Sequence, residues 1–401
     1  MAQKAKVKNV KITDITWDYY PRAESNQSQI DLYRSALESL PPIAINENMI
    51  GIDGYHRCQA YRQEGHDEIP AIVEDVPDDQ VLIEAIKRNA VHGLQLSRSD
   101  KRRLGALLYS QLTIDELADL LSVARRSVHL WTKEKREGER DEQERIIWDM
   151  WLACKTEEEI AEAVELSQSA VSNRLTSLRK NAETANPDPL KTFNVWSFPK
   201  CDDRFGIDYP GRIPGQIVEH LLYYFTEPLD VIWDLFGGGG TTVDVCKHMA
   251  RRYQVFDIDP VRDDIIKHDL MDGLPSAKAP NLIFLDPPYW RQKKDEYSDH
   301  ETNLANMPLD TFYKAIVKIV KQSLKKADVV ALLIGTTRKD GSRYDHAAMI
   351  MGEIGPPFQR IIVPYTTQIV RGADVASAKD GKYMLNLYRD LIVWRREDEK
   401  K

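Results

Sequence analysis

The chain is 401 residues long, 42% hydrophobic and 29% charged, with a net charge of −8. That length supports two or three domains with substantial cores, and the net acidity excludes a uniformly basic nucleic-acid coat, so any DNA-facing charge must be local. No apolar run approaches the ~20 residues that span a bilayer, and the opening Met-Ala-Gln-Lys-Ala-Lys lacks a signal-peptide core. The cysteines Cys58, Cys154, Cys201 and Cys246 lack metal-ligand spacing, which predicts reduced thiols in a cytoplasm, no metal and no membrane partner.

In chain order, Val7 to Ile15 alternates as a strand, Ile30 to Leu40 has helical spacing that stops at Pro41-Pro42, and Ile43 to Ile52 reads as a hairpin turning at Asn46-Glu-Asn48. Asp53-Gly-Tyr-His-Arg-Cys-Gln-Ala60 is then a turn feeding a helix that closes on Gly65. His56 and Arg57 fall at that helix start, where free N–H groups attract anions. The Asp-Gly-Tyr-His-Arg-x-x-Ala stretch, followed by Ile69-Pro-Ala-Ile-Val73, resembles the ParB/sulfiredoxin fold, and the first domain is placed at residues 8–95. In ParB partition proteins a Gly-x-x-Arg-x-x-Ala box grips a nucleotide, and Gly54, Arg57 and Ala60 match it, with His56 between them. Of the later box only Asn89 survives, in Arg88-Asn89-Ala-Val-His92. The resemblance therefore leaves open a nucleotide partner or a docking or regulatory role.

Residues 96–182 read as all helix and contain a repeat with a constant offset of 43 residues: Thr113 to Trp131 lines up with Thr156 to Arg174. Each copy opens on a threonine with acids just behind it, a capping-box arrangement. A small residue, a short turn and a second helix of small polar and basic residues follow, which is the helix-turn-helix pattern. The segment from residue 95 to 182 has 15 basic and 16 acidic residues, so overall charge gives no support, but the signs are segregated. The second helices carry Arg125 and Arg126, or Ser169, Asn173 and Arg174, types that contact bases and phosphates. They are the predicted contacts to double-stranded DNA, against a plain structural bundle. Lys133 to Arg145 is a solvated connector or helix face.

Asn181 to Pro189 is the clearest linker, so the third domain is placed at 190–397. It contains Val231-Ile-Trp-Asp-Leu-Phe-Gly-Gly-Gly-Gly-Thr-Thr242, a strand, glycine turn and helix start of nucleotide-loop type without the Lys-Ser/Thr of a phosphate loop. A second strand ends in Asp257-Ile-Asp259, Asp269 follows, and a buried strand, Leu282 to Leu285, runs into Asp286-Pro287-Pro288-Tyr289. Two prolines stiffen that turn and leave their carbonyls free to accept. A carboxylate and an aromatic ring flank it, which suits a planar group bearing NH2.

This ordered set resembles an S-adenosylmethionine-dependent DNA amino-methyltransferase of the adenine N6 or cytosine N4 kind. The resemblance implies a cofactor, S-adenosylmethionine, whose methionine part lies on Phe236, Gly238 and Gly240, with Asp234 and Thr241 beside them. Asp257 then binds the ribose, Asp269 contacts the adenine, and Asp286, Pro287, Pro288 and Tyr289 hold a flipped base. Trp290 to Asn306, with Arg291, Lys293 and Lys294, is expected to cap the site, while Arg338–Pro357 and Tyr365–Lys382 are candidate recognition segments. The expected fold class is α/β: a Rossmann-like methyltransferase sheet at the C-terminus, preceded by a small α+β ParB-like domain and an all-helical helix-turn-helix segment. A homodimer is compatible with this reading. The alternative is a ParB-like DNA-binding regulator with an accessory or inactive methyltransferase domain.

Overall fold

Val, Ile and Leu runs buried on both faces form the central strands of a seven-stranded sheet, the element on which the chain's chemistry is mounted. The computed structural model describes residues 7–91, 96–182, 185–290, 302–339, 342–365 and 372–396. The chain divides into two compact units, 1–142 and 143–401, and the long helix Lys133–Leu152 contains the boundary.

In the first unit β1 (Val7–Lys11), β2 (Ile43–Asn46), β3 (Gly51–Asp53) and β4 (Glu68–Glu74) form a sheet in the order β1-β4-β2-β3. The first strand is shorter than its alternation predicts. At Ile12 the chain turns into a single 3-10 turn, which carries Ile12 and Ile15 into the core beside Ile43, Ile45 and Ile69. The next helix is Gln27–Arg34, earlier than the expected 30–40, because Asn26 caps it by accepting from the Gln29 N–H; Leu37–Ser39 is a separate turn. Helices Arg98–Leu108, Ile114–Leu120 and Arg125–Trp131 follow, with Leu104, Leu117 and Val128 fully buried.

In the second unit β5 (Val231–Asp234), β6 (Arg252–Asp257), β7 (Ile266–Lys267), β8 (Leu282–Leu285) and β9 (Val329–Gly335) are parallel. A small hairpin, β10 (Thr337–Lys339) and β11 (Ser342–Tyr344), interrupts the chain before β12 (Gln359–Pro364) and β13 (Tyr388–Arg395). The sheet order is β12-β13-β9-β8-β5-β6-β7, and β13 runs antiparallel to both its neighbours. The chain leaves β5 toward β6 and returns on its other side at β8, so the strand order reverses between β5 and β8. In open α/β sheets ligands bind at the carboxyl ends of the strands at such a reversal.

Both copies of the repeat form capping boxes: Thr113 with Glu116, and Thr156 with Glu159. The two copies lie in different compact units. The second, helices Glu157–Ala163 and Gln168–Lys180, buries Ile160, Val171 and Leu175 in the same cluster as Ile232, Tyr253 and Val255 of the sheet. Arg252, almost fully buried, donates from Nε to the Trp151 carbonyl at 3.1 Å and stacks on the Trp151 ring at 4.4 Å. A cation over an indole face thus takes the place of an ion pair there.

Candidate active site

A cleft of 1120 Å³ opens where β5 and β8 end. Its floor is the glycine loop between β5 and the helix Thr241–His248. Asp234 is buried beneath this loop with both oxygens engaged: one accepts from the Phe236 N–H at 2.9 Å, the other from Thr242 Oγ1 at 2.5 Å. Burial pushes its carboxyl up to about 7 despite those bonds. Asp234 therefore shapes the loop from below. Phe236, Gly238 and Thr241 line the cleft itself, whereas Gly240 stands behind it as the helix N-cap. Gly240 has φ +81°, and a Cβ there would lie 2.5 Å from Arg262 Nη1. That arginine is clamped between Asp244 and Asp264, at 2.9 and 2.8 Å, so it has little room to give way.

The acids at the next strand ends face the same space. Asp257 accepts from the Gly238 N–H at 2.8 Å and the Asp259 N–H at 3.0 Å, one on each oxygen. A carboxylate has about four lone-pair sites, so two remain for a ligand. Asp269 accepts from the Met271 N–H at 2.9 Å and from Thr302 Oγ1 at 2.8 Å. The segment before the helix Gly215–Phe225 closes the cleft from the other side. The Gly206 N–H donates to Asp244, the Ile207 N–H donates to the Gly239 carbonyl, and the Tyr209 ring covers the loop. Gly206 has φ +73°, and a Cβ would meet Thr241 Oγ1 at 2.5 Å.

The Asp286 turn forms the remaining wall. The Tyr289 hydroxyl donates to Asp286 at 3.2 Å. Desolvation raises the Asp286 carboxyl to about 6, opposed by the charge of Arg389. Trp290 leaves the turn tethered by its indole N–H to the Met307 carbonyl at 2.9 Å, and its own carbonyl accepts from Thr337. Behind it His346 is fully buried between Tyr313 at 2.9 Å and Thr337 at 3.0 Å, and burial lowers it to about 4. A neutral imidazole using both nitrogens thus braces Thr337 and, through it, the Trp290 carbonyl at the end of the turn. The basic residues Arg291, Lys293 and Lys294 lie outside the described residues.

The family model N6_N4_Mtase, DNA methylase, matches residues 123–268, from the first repeat copy to just short of the Asp286 turn. The chain is an S-adenosylmethionine-dependent DNA amino-methyltransferase. No curated protein matches the sequence of this methyltransferase. Among solved structures it is similar to the chromosome-partitioning protein ParB of Caulobacter crescentus, at 19% identity over 32% of this chain and 77% of that one, with a TM-score of 0.20. It is also similar to precorrin-6y C5,15-methyltransferase of Geobacter metallireducens, at 13% identity over 49% and 97%, with a TM-score of 0.29. Likenesses this weak leave the assignment of the methyltransferase fold to the strand order itself.

One residue of the methyltransferase cleft lies outside every segment singled out in the sequence, Arg389 on β13, while Tyr365, just past β12, opens a segment expected to carry recognition residues. No motif marks either. The register Arg389↔Gly335 sets the arginine beside the end of β9, and Tyr365 and Tyr289 both crowd the bare Cα of Gly335.

The predicted DNA contacts fall on exposed helix surface at Arg125, Arg126, Ser169 and Asn173, although Arg125 pairs with Asp115 at 2.6 Å. Arg174 is half-buried and donates to Gln143 at 2.6 Å, bracing the long helix Lys133–Leu152. In the ParB-like box Gly54 has φ +102° and starts the helix Tyr55–Gln63. Arg57 folds back onto the carbonyls of Pro41 and Pro42 and onto Asp53, at 2.7, 2.6 and 2.8 Å. The His56 ring accepts from the Asn26 N–H at 3.0 Å, and Asn89 accepts from Arg22 at 3.2 Å.

Proposed function

We propose that this methyltransferase modifies the exocyclic amino group of a base flipped out of double-stranded DNA, adenine N6 in preference to cytosine N4. The observation that carries this reading is the meeting of the glycine loop and the Asp286 turn in one cleft at the strand-order reversal. The lining fits the cofactor: Gly238 lines the cleft without a side chain, and Asp257, Asp259 and Asp269 surround the space with negative charge, which suits a ligand with sulfonium and ammonium groups. Phe236, Gly238 and Thr241 would hold its methionine part, Asp257 its ribose and Asp269 its adenine. Bound there, S-adenosylmethionine supplies an activated methyl group.

The chain's own residues have three tasks. Tyr289 offers a ring face to a base out of its stack. Asp286 and the Pro287 carbonyl accept the two amino hydrogens, which favours a pyramidal nitrogen and stabilises the positive charge that grows on it. Asp286, raised to about 6, then takes the surplus proton from the methylated nitrogen and passes it to water. Adenine is favoured because, in the family resembled, an aspartate at the head of the turn goes with adenine more often than serine does.

We assign DNA docking to the exposed faces of the two helix-turn-helix units, through Arg125, Arg126, Ser169 and Asn173, with Arg174 positioning the second unit. As sequence modules we keep 8–95, 96–182 and 190–397, although the second helix-turn-helix unit packs into the core of the sheet that follows it. A nucleotide at Gly54, His56 and Arg57 would have to displace Arg57 from three partners within its own domain, which favours a docking or regulatory role there.

Mass spectrometry of digested duplex DNA after incubation with the chain and S-adenosylmethionine tests the reading. N6-methyladenine is expected from the natural chain and none from Asp286→Ala, whose cofactor affinity stays near normal. N4-methylcytosine alone would reverse the base assignment, and near-normal turnover by the Asp286→Ala chain would refute the role of the turn.

A further inference from the structure

Arg389 is a costly residue to bury. It is 8% exposed on β13, the strand next to one edge of the sheet, and its Nε has no hydrogen-bond acceptor. A buried charge is ordinarily paired or hydrogen-bonded, yet no carboxylate lies within ion-pair distance of it among the described residues. The neighbouring acid on its own strand, Asp390, is taken by Arg360 at 2.8 Å. What surrounds the Arg389 guanidinium is the base end of the cleft: the Tyr365 ring at 4.9 Å, the Tyr289 hydroxyl, and Asp286 as the one carboxylate whose charge bears on it. Nothing in the packing of the sheet calls for a cation at this point, and an apolar residue of similar length would fill the space at lower cost.

We propose that Arg389 is a positioning residue for methyl transfer: its fixed charge behind Tyr289 and Tyr365 keeps Asp286 ionised in a closing, water-poor pocket, so that the carboxylate can accept the amino hydrogens of the target base. This rests on the amino-methyltransferase reading of the cleft and extends it to a residue outside every motif. The groups facing Asp286 make the argument definite. Tyr289 donates to it from its own turn, Arg389 faces it from β13, Tyr365 from the end of β12, and Asp234 from the end of β5. Burial raises Asp286 and a second buried acid stands close by, so among these groups Arg389 is the only positive charge. A base entering the pocket removes more water and strengthens the demand for it.

The sign follows directly. Asp286 works as the carboxylate, so the rate of the natural chain is half-maximal near pH 6, approaches its full value about one unit above, and falls as pH drops through 6. Without the arginine the carboxyl titrates higher, and the acid limb of the rate moves toward alkaline pH. Single-turnover methyl transfer by the full chain is measured from about pH 5 to 9 for Arg389→Met, Arg389→Gln and Arg389→Lys. The expected result is an acid limb displaced upward by about one unit or more in the Met and Gln variants. Their rate at pH 7 falls about twofold for a displacement of one unit and recovers above pH 8, and Lys restores most of the natural profile. A second reading needs no turnover: carbon-13 titration of the Asp286 carboxyl, assigned through Asp286→Asn, should show the same displacement. Variants slowed equally at every pH, with the Asp286 titration unmoved, would overturn the proposal. An inactive natural chain whose Asp286 titration still moves with Arg389 would instead overturn the assigned reaction.

Discussion

Removing the side chain of Asp257 should uncouple the glycine loop from the strand beside it. Its two oxygens accept from the Gly238 N–H at 2.8 Å and the Asp259 N–H at 3.0 Å. Hydrogen bonds to a charged group contribute about 1.5–3 kcal/mol each when shielded. Asp257 is partly exposed, so water recovers much of this in Asp257→Ala and about 2 kcal/mol for the pair is a fair bound. Losing the acceptor for the ribose hydroxyls adds about 1–2 kcal/mol on binding. The sum, about 3–4 kcal/mol, corresponds to a fall in S-adenosylmethionine affinity of roughly two to three orders of magnitude. Asp257→Asn keeps one acceptor oxygen and should lose about one order. Isothermal titration calorimetry measures the affinities, and urea unfolding of each variant separates loop loosening from global destabilisation. An Asp257→Ala affinity within about twofold of the natural chain, a difference under 0.5 kcal/mol, would refute the reasoning. The ribose role would then pass to Asp259, which also lines the cleft.

His346 makes the stability of the second unit pH-dependent. It is fully buried and lowered to about 4, so the unfolded chain binds its proton first. Stability is full above about pH 6.5 and falls by up to about 3 kcal/mol as pH drops toward 4. Urea midpoints across that range should show the decline, and His346→Gln should flatten it; equal slopes for both chains would disprove the assignment. For DNA docking, Arg126→Ala and Asn173→Ala should each weaken duplex binding, and the arginine change should also lower the salt slope by about one ion. Binding indifferent to both, measured by fluorescence anisotropy over a salt series, would favour a purely structural helical repeat.

Local chemistry was legible before any fold. The glycine loop, the Asp286 turn and both capping boxes are encoded within a few consecutive residues, by positive φ, fixed φ and a side chain reaching three positions along. Their structures follow the reading closely, and so does the order of strands and helices around them. Boundaries were less secure where one side chain decides them: Asn26 starts a helix earlier than apolar spacing suggests, and Ile12 ends a strand because the core lies to one side.

What only tertiary structure decided is which distant residues share a site and which attractive candidates are already occupied. Arg389 and Tyr365 reach the cleft because β13 inserts antiparallel between β12 and β9, a register fixed by strand pairing across more than fifty residues. Arg57 and Arg174 carry the charges expected of anion or DNA contacts, yet each is committed inside its own unit, to Pro41, Pro42 and Asp53 or to Gln143. The repeat reads as one helical segment, but its copies bury their apolar faces in two separate cores. A sequence specifies which groups a residue can bond or bury; which partner it meets depends on contacts brought together only when the sheet closes over its core.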